Sequence, residues 1–266
     1  MEHDQAALWL GRIEEAAREA GGIMLRARDI RSRVADKTGH ANFVTAYDKQ
    51  VQDMLFDRLR KVVPDAAFIG EENGADRVGD DSRSGYAFCV DPIDGTSNFM
   101  TGYRPSMTSI ALMKDGEPFI AAVYNPYIDA MFTAIRSRGA CENGRPILSS
   151  PEPLSRSLVS FGTAPYNSEF TSMTFDMCRY YLPKCIDLRR SGSAAWDLAM
   201  MARGDTGLFY ECRLGLWDYA AAGLIAMEAG CVLTDLRGKA LTWRGYSSVM
   251  CASRGVARED YLYPAP

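Results

Sequence analysis

Residues 86–96 read Tyr-Ala-Phe-Cys-Val-Asp-Pro-Ile-Asp-Gly-Thr. Tyr86–Val90 is a short apolar run closed by turn residues, the pattern of a β-strand. It passes straight into Asp91-Pro92-Ile93-Asp94-Gly95-Thr96. Pro92 stiffens the turn by fixing its own φ. Gly95 permits a backbone shape or a close approach that other residues resist. Thr96 stands where it can cap whatever follows. Such a turn aims two carboxylates and a row of backbone N–H groups at one point. Carboxylates hold hard divalent cations, and N–H groups at a helix start hold phosphate.

The same arrangement recurs outward from it. Glu71 and Glu72 follow the apolar run Ala67–Gly70, and Asp218 opens a helical pattern over Asp218–Ala229, just after Trp217. Each acid alone has a plain structural reading: a solvated turn residue, an N-cap at Asp218, or, for Asp48, the far half of a capping box with Thr45. Together they read differently. Like charges 4 Å apart in a partly screened site repel by roughly 4 kcal/mol. Three or four converging carboxylates therefore protonate or splay unless a cation compensates them. The chain has two histidines, His3 and His40. That is too few for a multi-histidine zinc site, a histidine-nucleophile phosphatase or a comfortable Ser-His-Asp hydrolase. Oxygen-only ligands point to Mg²⁺, which favours substrates bearing phosphate.

Composition sets the frame. At 266 residues the chain makes one large domain or two closely packed ones. It is 47% hydrophobic, too apolar for a disordered chain. Lys+Arg total 30 against 34 Asp+Glu, a net charge of -4, which argues against a nucleic-acid surface as its main business. The most apolar run, Tyr219–Met227, is far short of the ~20 residues of a membrane span. The acidic first 30 residues suit neither a signal nor a transit peptide. Seven scattered cysteines without a C-x-x-C read as reduced thiols of a cytoplasmic protein. Cys231 and Arg237 share the C-x5-R spacing of tyrosine phosphatases, but Gly230 replaces the histidine and the loop lacks phosphate-wrapping glycines.

Periodicity sketches the elements. Ala6, Leu10, Ile13, Ala17, Ala20 and Met24 recur at helical steps, and a second helix fits Ala46–Val62, stopped by Pro64. Met107–Lys114 and Pro118–Asn125 flank Asp115-Gly116, a strong hairpin signal, and Ala130–Ile135 extends the meander. A Pro- and Ser-rich stretch over residues 142–157 marks a boundary between an α+β half (1–145) and an α/β half (146–266). Beyond it, strands at Leu158–Phe161, Gly207–Tyr210, Cys231–Thr234 and Ser247–Ala252 alternate with helices at Ser168–Tyr181, Ser193–Arg203 and Asp218–Ala229. The alternation predicts a layered α/β protein.

At these motifs the sequence resembles the inositol monophosphatase family of Mg²⁺-dependent, lithium-sensitive phosphatases. Phe88–Phe99 matches the first signature throughout. Ile69-Gly70-Glu71-Glu72 and Val44-Thr45-Ala46-Tyr47-Asp48 match the acidic motifs before it, and Trp217–Gly223 matches the C-terminal signature. That signature usually ends in two small residues; here Cys231 follows Gly230, a departure expected to touch packing rather than chemistry. The resemblance implies an αβαβα sandwich. It implies that Glu71, Asp91 and the Ile93 carbonyl hold one Mg²⁺, that Asp91, Asp94 and Asp218 hold a second, and that Glu71 helps seat a weak third. It casts Thr96, hydrogen-bonded to Asp48, and Glu72 as orienting or deprotonating the attacking water, and the N–H groups of Gly95 and Thr96 as holding phosphate. Lys37 would add charge over the metals from a loop.

On the substrate side, Arg190–Ala195 resembles the family's sugar-facing turn. Gly192, Ser193 and Ala194 would line the ring, and Glu211, seven residues before Asp218, would accept ring hydroxyls. The implied activity is hydrolysis of a small sugar or polyol phosphate, myo-inositol 1-phosphate first, by a cytoplasmic homodimer that engages neither membrane nor nucleic acid. Arg213 keeps fructose 1,6-bisphosphate, or a broad range of sugar phosphates, as an alternative. Ser97, where relatives acting on 3′-phosphoadenosine phosphate or histidinol phosphate more often carry Lys, tilts away from those two. A partner-binding scaffold with incidental catalysis is the rival from another class.

Overall fold

The computed structural model describes residues 2–36, 43–73 and 84–264. Five layers stack as helices, sheet, helices, sheet, helix. The larger sheet has seven strands in sequence order: β3 (Ala67–Gly70), β4 (Tyr86–Asp94), β5 (Met107–Lys114), β6 (Glu117–Asn125), β7 (Ala130–Ile135), β8 (Ala140–Glu142) and β9 (Arg145–Ile147). β3 and β4 are parallel; the other neighbours are antiparallel. A separate short ladder pairs β1 (Val34–Asp36) with β2 (Phe43–Thr45). The smaller sheet has the order β11-β10-β12-β14-β13, formed by β10 (Leu158–Phe161), β11 (Asp187–Arg189), β12 (Leu208–Gly215), β13 (Val232–Thr234) and β14 (Tyr246–Ala252).

The pleat explains the layering. On the larger sheet Phe88, Val90, Ile110, Leu112, Ile120 and Ala122 pack with α1 (Glu2–Arg26) and α2 (Ala46–Leu59). Their sequence neighbours Ala87, Cys89, Ala111, Met113, Ala121 and Val123 pack with α5 (Ala194–Arg203) and α6 (Leu216–Glu228). Successive side chains alternate faces, and both faces are covered, so the strands read as unbroken apolar runs. α5 and α6 also carry Phe209, Val249 and Cys251 of the smaller sheet, so one apolar cluster fills the space between the sheets. Small residues at Ala220, Ala221, Ala222 and Gly223 let α6 lie close between them. On the outer face, Met177, Cys178 and Tyr181 of α4 (Thr171–Tyr181) pack over Leu208, Tyr210 and Met250.

Several expected boundaries shift. α2 ends at Leu59, and Arg60–Val63 continue as turns before Pro64. The helix expected from Ser168 begins as a 3₁₀ turn, and Pro183 lies inside a further 3₁₀ turn. The stretch read as a boundary overlaps the β8–β9 hairpin, turned by Asn143-Gly144 with φ 48 and 75. The chain leaves the larger sheet only after Ile147. β11 and the short helix α3 (Thr96–Thr101) are absent from the sequence reading.

The largest local difference matters most. The segment read as a turn is the end of a strand, because β4 runs through Asp94. Asp91 pairs with Ser109 and Asp94 with Met107, so β4 carries one residue more than β5 between these pairs. In a regular strand, residues three apart face opposite sides. The extra residue of this bulge puts Asp91 and Asp94 on one side. No helix among the described residues is long and apolar enough to cross a membrane.

Candidate active site

A cleft of about 620 Å³ opens where the two sheets and α6 meet. The β4 bulge delivers Asp91 and Asp94, the first turn of α6 delivers Asp218, and the 3₁₀ turn after β3 delivers Glu71 and Glu72. Asp91, Asp94 and Asp218 each offer a carboxylate oxygen, and these oxygens lie within 4.8 Å of one another. Glu71 and Glu72 are half-buried and line the same cleft.

Each acid is held by its own local structure. The Ile93 N–H donates to Asp91 Oδ1 at 3.0 Å. Asp218 is the third residue of α6 and accepts the Gly215 N–H at 2.7 Å, so it caps the first turn from inside the helix rather than serving as the N-cap. Asp48 does the same for α2, accepting the backbone N–H of Thr45 at 2.8 Å and the Thr45 hydroxyl. Its other oxygen accepts the Thr96 hydroxyl at 3.2 Å. Thr96 caps nothing: Gly95, with φ +86, is the N-cap of α3, and the Thr96 hydroxyl also sits 3.2 Å from the Ile93 carbonyl. A side chain at Gly95 would meet the Pro105 carbonyl at 2.8 Å. Glu72 is tied through its N–H to Gln52 Oε1 of α2 at 3.3 Å.

Electrostatics marks the cluster as deficient in positive charge. Burial first, then Glu71, Asp94, Asp218 and Asp48, hold the Asp91 carboxyl well above the usual carboxylate range. Burial, then Asp94 and Glu71, do the same to Asp218. Burial lifts Asp94 to about 6, against hydrogen bonds from Ser193 and Ala195. A group of buried carboxylates with such affinity for a proton has the donor set of a hard, oxygen-ligated divalent cation, so the residues fit Mg²⁺.

The opposite end of the cleft is built by the second half of the chain. Gly192, Ser193 and Ala194 line the same cleft, together with Arg190, Asp197, Glu211 and Arg213, and the Ser193 hydroxyl reaches across to Asp94. Glu211 is 8% exposed, accepts the Ala164 N–H at 3.0 Å, and burial raises its pKa to about 7. A methyl group at Gly162 would land on the Glu211 carboxylate, which is why glycine stands there. Arg213 lies over the Tyr246 ring at 4.1 Å, at the cleft wall. Lys37 and His40 lie outside the described residues. Cys231 is buried in the cluster between the sheets, so its thiol is a packing group.

Three contributors escape the sequence reading. Asn98 is buried and donates to the Pro105 carbonyl at 2.6 Å and the Ser191 carbonyl at 3.0 Å, stitching the two ends of the site together. Gln52 sets the Glu72 turn. Asp197 is a lone acid in the apolar segment Ala194–Ala202, a signal the sequence carries without saying what it serves.

The chain is similar to known proteins over nearly its whole length. The profile of the inositol monophosphatase family matches residues 9–263. Inositol monophosphatase 2 of Solanum lycopersicum is 37% identical over 228 residues, covering 84% of this chain and 86% of the relative. The Nus factor SuhB of Salmonella typhimurium is 34% identical over 225 residues, covering 84% and 83%. The crystal structure of the extragenic suppressor protein suhB from Bartonella henselae superposes with a TM-score of 0.84 at 31% identity, covering 92% of this chain and 93% of that one.

Proposed function

The chain belongs to the inositol monophosphatase family, and from that premise we propose that it is a Mg²⁺-dependent phosphomonoesterase acting on a small sugar or polyol phosphate, with myo-inositol 1-phosphate the leading substrate. The observation that carries this reading is the convergence of Asp91, Asp94 and Asp218 within 4.8 Å in a cleft that also presents the buried Glu211 carboxylate. Glu71, Asp91 and the Ile93 carbonyl would hold one Mg²⁺, and Asp91, Asp94 and Asp218 a second, with a weaker third beside Glu71. Bound there, Mg²⁺ lowers the pKa of water and neutralises charge on phosphate oxygens.

The remaining work falls to the chain itself. Thr45 occupies one oxygen of Asp48, so the other accepts the Thr96 hydroxyl and leaves a Thr96 lone pair to accept a hydrogen bond from the attacking water. Glu72, held by Gln52, is the base at the same wall. The N–H groups of Gly95 and Thr96 receive the phosphate. Glu211 accepts substrate hydroxyls, and a buried acceptor discriminates against substrates that lack them. Together these fix water, phosphorus and leaving oxygen in one line, which removes much of the barrier through orientation alone.

Purified protein with Mg²⁺ should release phosphate from myo-inositol 1-phosphate, and millimolar lithium should inhibit. Chelation, Asp91→Asn or Asp218→Asn should nearly abolish release; unaltered turnover in either variant removes the assignment. Arg213 on the cleft wall supports a second reading, fructose 1,6-bisphosphate, and the ratio of kcat/KM on the two esters decides between them. The similarity to a Nus factor supports a third, a partner-binding scaffold. Stoichiometric capture of a partner together with negligible turnover across a phosphate-ester panel would favour it. Light scattering tests the homodimer expected of a family member.

A further inference from the structure

α5 is apolar from Ala194 to Ala202 except for Asp197, which is only 4% exposed. A buried acid in such a helix needs a donor. The Ser191 hydroxyl supplies it, donating to Asp197 Oδ2 at 2.7 Å. The same Ser191 oxygen accepts the Ser193 N–H at 3.1 Å. Ser193 then donates its own hydroxyl to Asp94 Oδ2 at 2.5 Å, and the Ala195 N–H reaches that oxygen at 2.7 Å. Between them Gly192 adopts φ +89, and a side chain there would press on Asn98, whose amide holds the Ser191 carbonyl.

We propose that Asp197 is a positioning residue that orients Asp94 for metal binding through the Ser191–Ser193 turn. The inference rests on Asp94 being a metal ligand, as proposed above. The Ser193 hydroxyl and the Ala195 N–H on Oδ2, with the Ala194 N–H beside them, hold the Asp94 carboxylate in one orientation toward the cluster. None of these donors is held by β4, which carries Asp94; all sit at the start of α5, and Asp197 locks the turn that starts it. The Ser191 hydroxyl has one proton and two acceptors in reach, Asp197 Oδ2 and the Ser193 carbonyl at 3.0 Å. Without Asp197 the proton goes to the carbonyl, and the turn loses its tie to the helix one turn further on. Hydrogen-bond partners of metal ligands typically alter metal affinity 10- to 100-fold when removed.

The test is Mg²⁺ binding without substrate, read by titration calorimetry and by the Mg²⁺-dependent rise in Tm. Asp197→Ala and Ser191→Ala should each weaken Mg²⁺ binding about tenfold or more. Asp197→Asn keeps an acceptor and should stay close to the wild-type midpoint. The Ser191→Ala/Asp197→Ala double variant should be no worse than the weaker single one, because both cut the same chain of hydrogen bonds. A folded Asp197→Ala with a wild-type midpoint overturns the inference. So does an Asp197→Asn as weak as the alanine variant, which would assign the effect to charge. If Asp197→Ala does not fold, Ser191→Ala, which removes one hydroxyl, decides alone. A wild-type protein that Mg²⁺ does not stabilise overturns the metal reading instead, a result separable from the others.

Discussion

Asp91 and Glu211 are both buried carboxyls in one cleft, and both bind a proton more tightly than an exposed acid does. Their surroundings differ in kind. Beyond burial, the groups that raise Asp91 are Glu71, Asp94, Asp218 and Asp48, all acids. Glu211 is raised by burial and Asp94 but drawn back by the Ala164 N–H and the positive charge of Arg190. One end of the cleft therefore carries a charge deficit that the chain does not fill. The other end is compensated in part from within, by Arg190 and the Ala164 N–H. A deficit of this kind does not stabilise a fold, and its natural use is to bind a cation. A partly compensated acid with free acceptor capacity suits neutral hydroxyls.

The comparison breaks most sharply at Asp91. Asp91→Asn should lower phosphate release about a thousandfold or more, equivalent to about 4 kcal/mol. The same substitution should make the metal-free protein more stable, by about 1 kcal/mol or more, because it removes a charge buried among like charges. Chelated samples melted side by side check the second half. A destabilised metal-free variant would mean that the acids at this end are already compensated, and the contrast with Glu211 would fall.

The pH dependence sharpens the other side. Glu211 has a folded pKa of about 7 against an ordinary 4.5. Between these values the folded chain holds a proton that the unfolded chain has released, so stability falls as pH rises from about 4.5 to 7 and levels off above. The full contribution is about 3 kcal/mol. Glu211→Gln should make that slope shallower in chelated protein, with the wild-type curve as reference, the remainder belonging to Asp91, Asp94, Asp218 and Asp197. With Mg²⁺ present it should lower kcat/KM on myo-inositol 1-phosphate by about tenfold or more, the worth of a charged hydrogen bond. The Mg²⁺ midpoint should stay in place. A moved midpoint would show that the two ends are not independent.

The legibility of these features follows from how local their causes are. Asp115-Gly116 announces its hairpin because two adjacent residues with positive φ, here 52 and 81, leave few alternatives. Asn143-Gly144 carries the same signal but passes for a boundary, since its strands are three residues long and one contains Pro146. The edge strand β11 is only three residues long, Asp187-Leu188-Arg189, too short for its alternation to be read as a strand. Among the site acids, residue type and position after a strand are visible in the sequence, and the Thr45–Asp48 capping box is visible outright. Their convergence is not. It depends on an extra residue in β4 that exists only relative to the register of β5. Asp197 is hidden for a related reason: its partner, Ser191, comes within reach only once the turn before α5 folds back.

The smallest effect tests whether the Glu211 end is built by space as well as charge. Gly162 follows β10 with an unremarkable φ, so a side chain there meets no backbone strain. What it meets is the Glu211 carboxylate. Gly162→Ala should therefore destabilise the protein by about 1–2 kcal/mol, as overpacking does, and lower kcat/KM while leaving Mg²⁺ binding intact. The cause can be isolated with a second substitution. Glu211→Asp withdraws the carboxylate by one methylene and frees the space a methyl group needs. The two substitutions should then be less damaging together than the sum of each alone, because residues in contact couple by about 0.5–3 kcal/mol. Strict additivity in a chemical-denaturation cycle would place the cost of Gly162→Ala elsewhere, in the backbone where the Gly162 N–H meets the Tyr210 carbonyl at 3.0 Å. The position of Glu211 would then be owed to the Ala164 N–H alone.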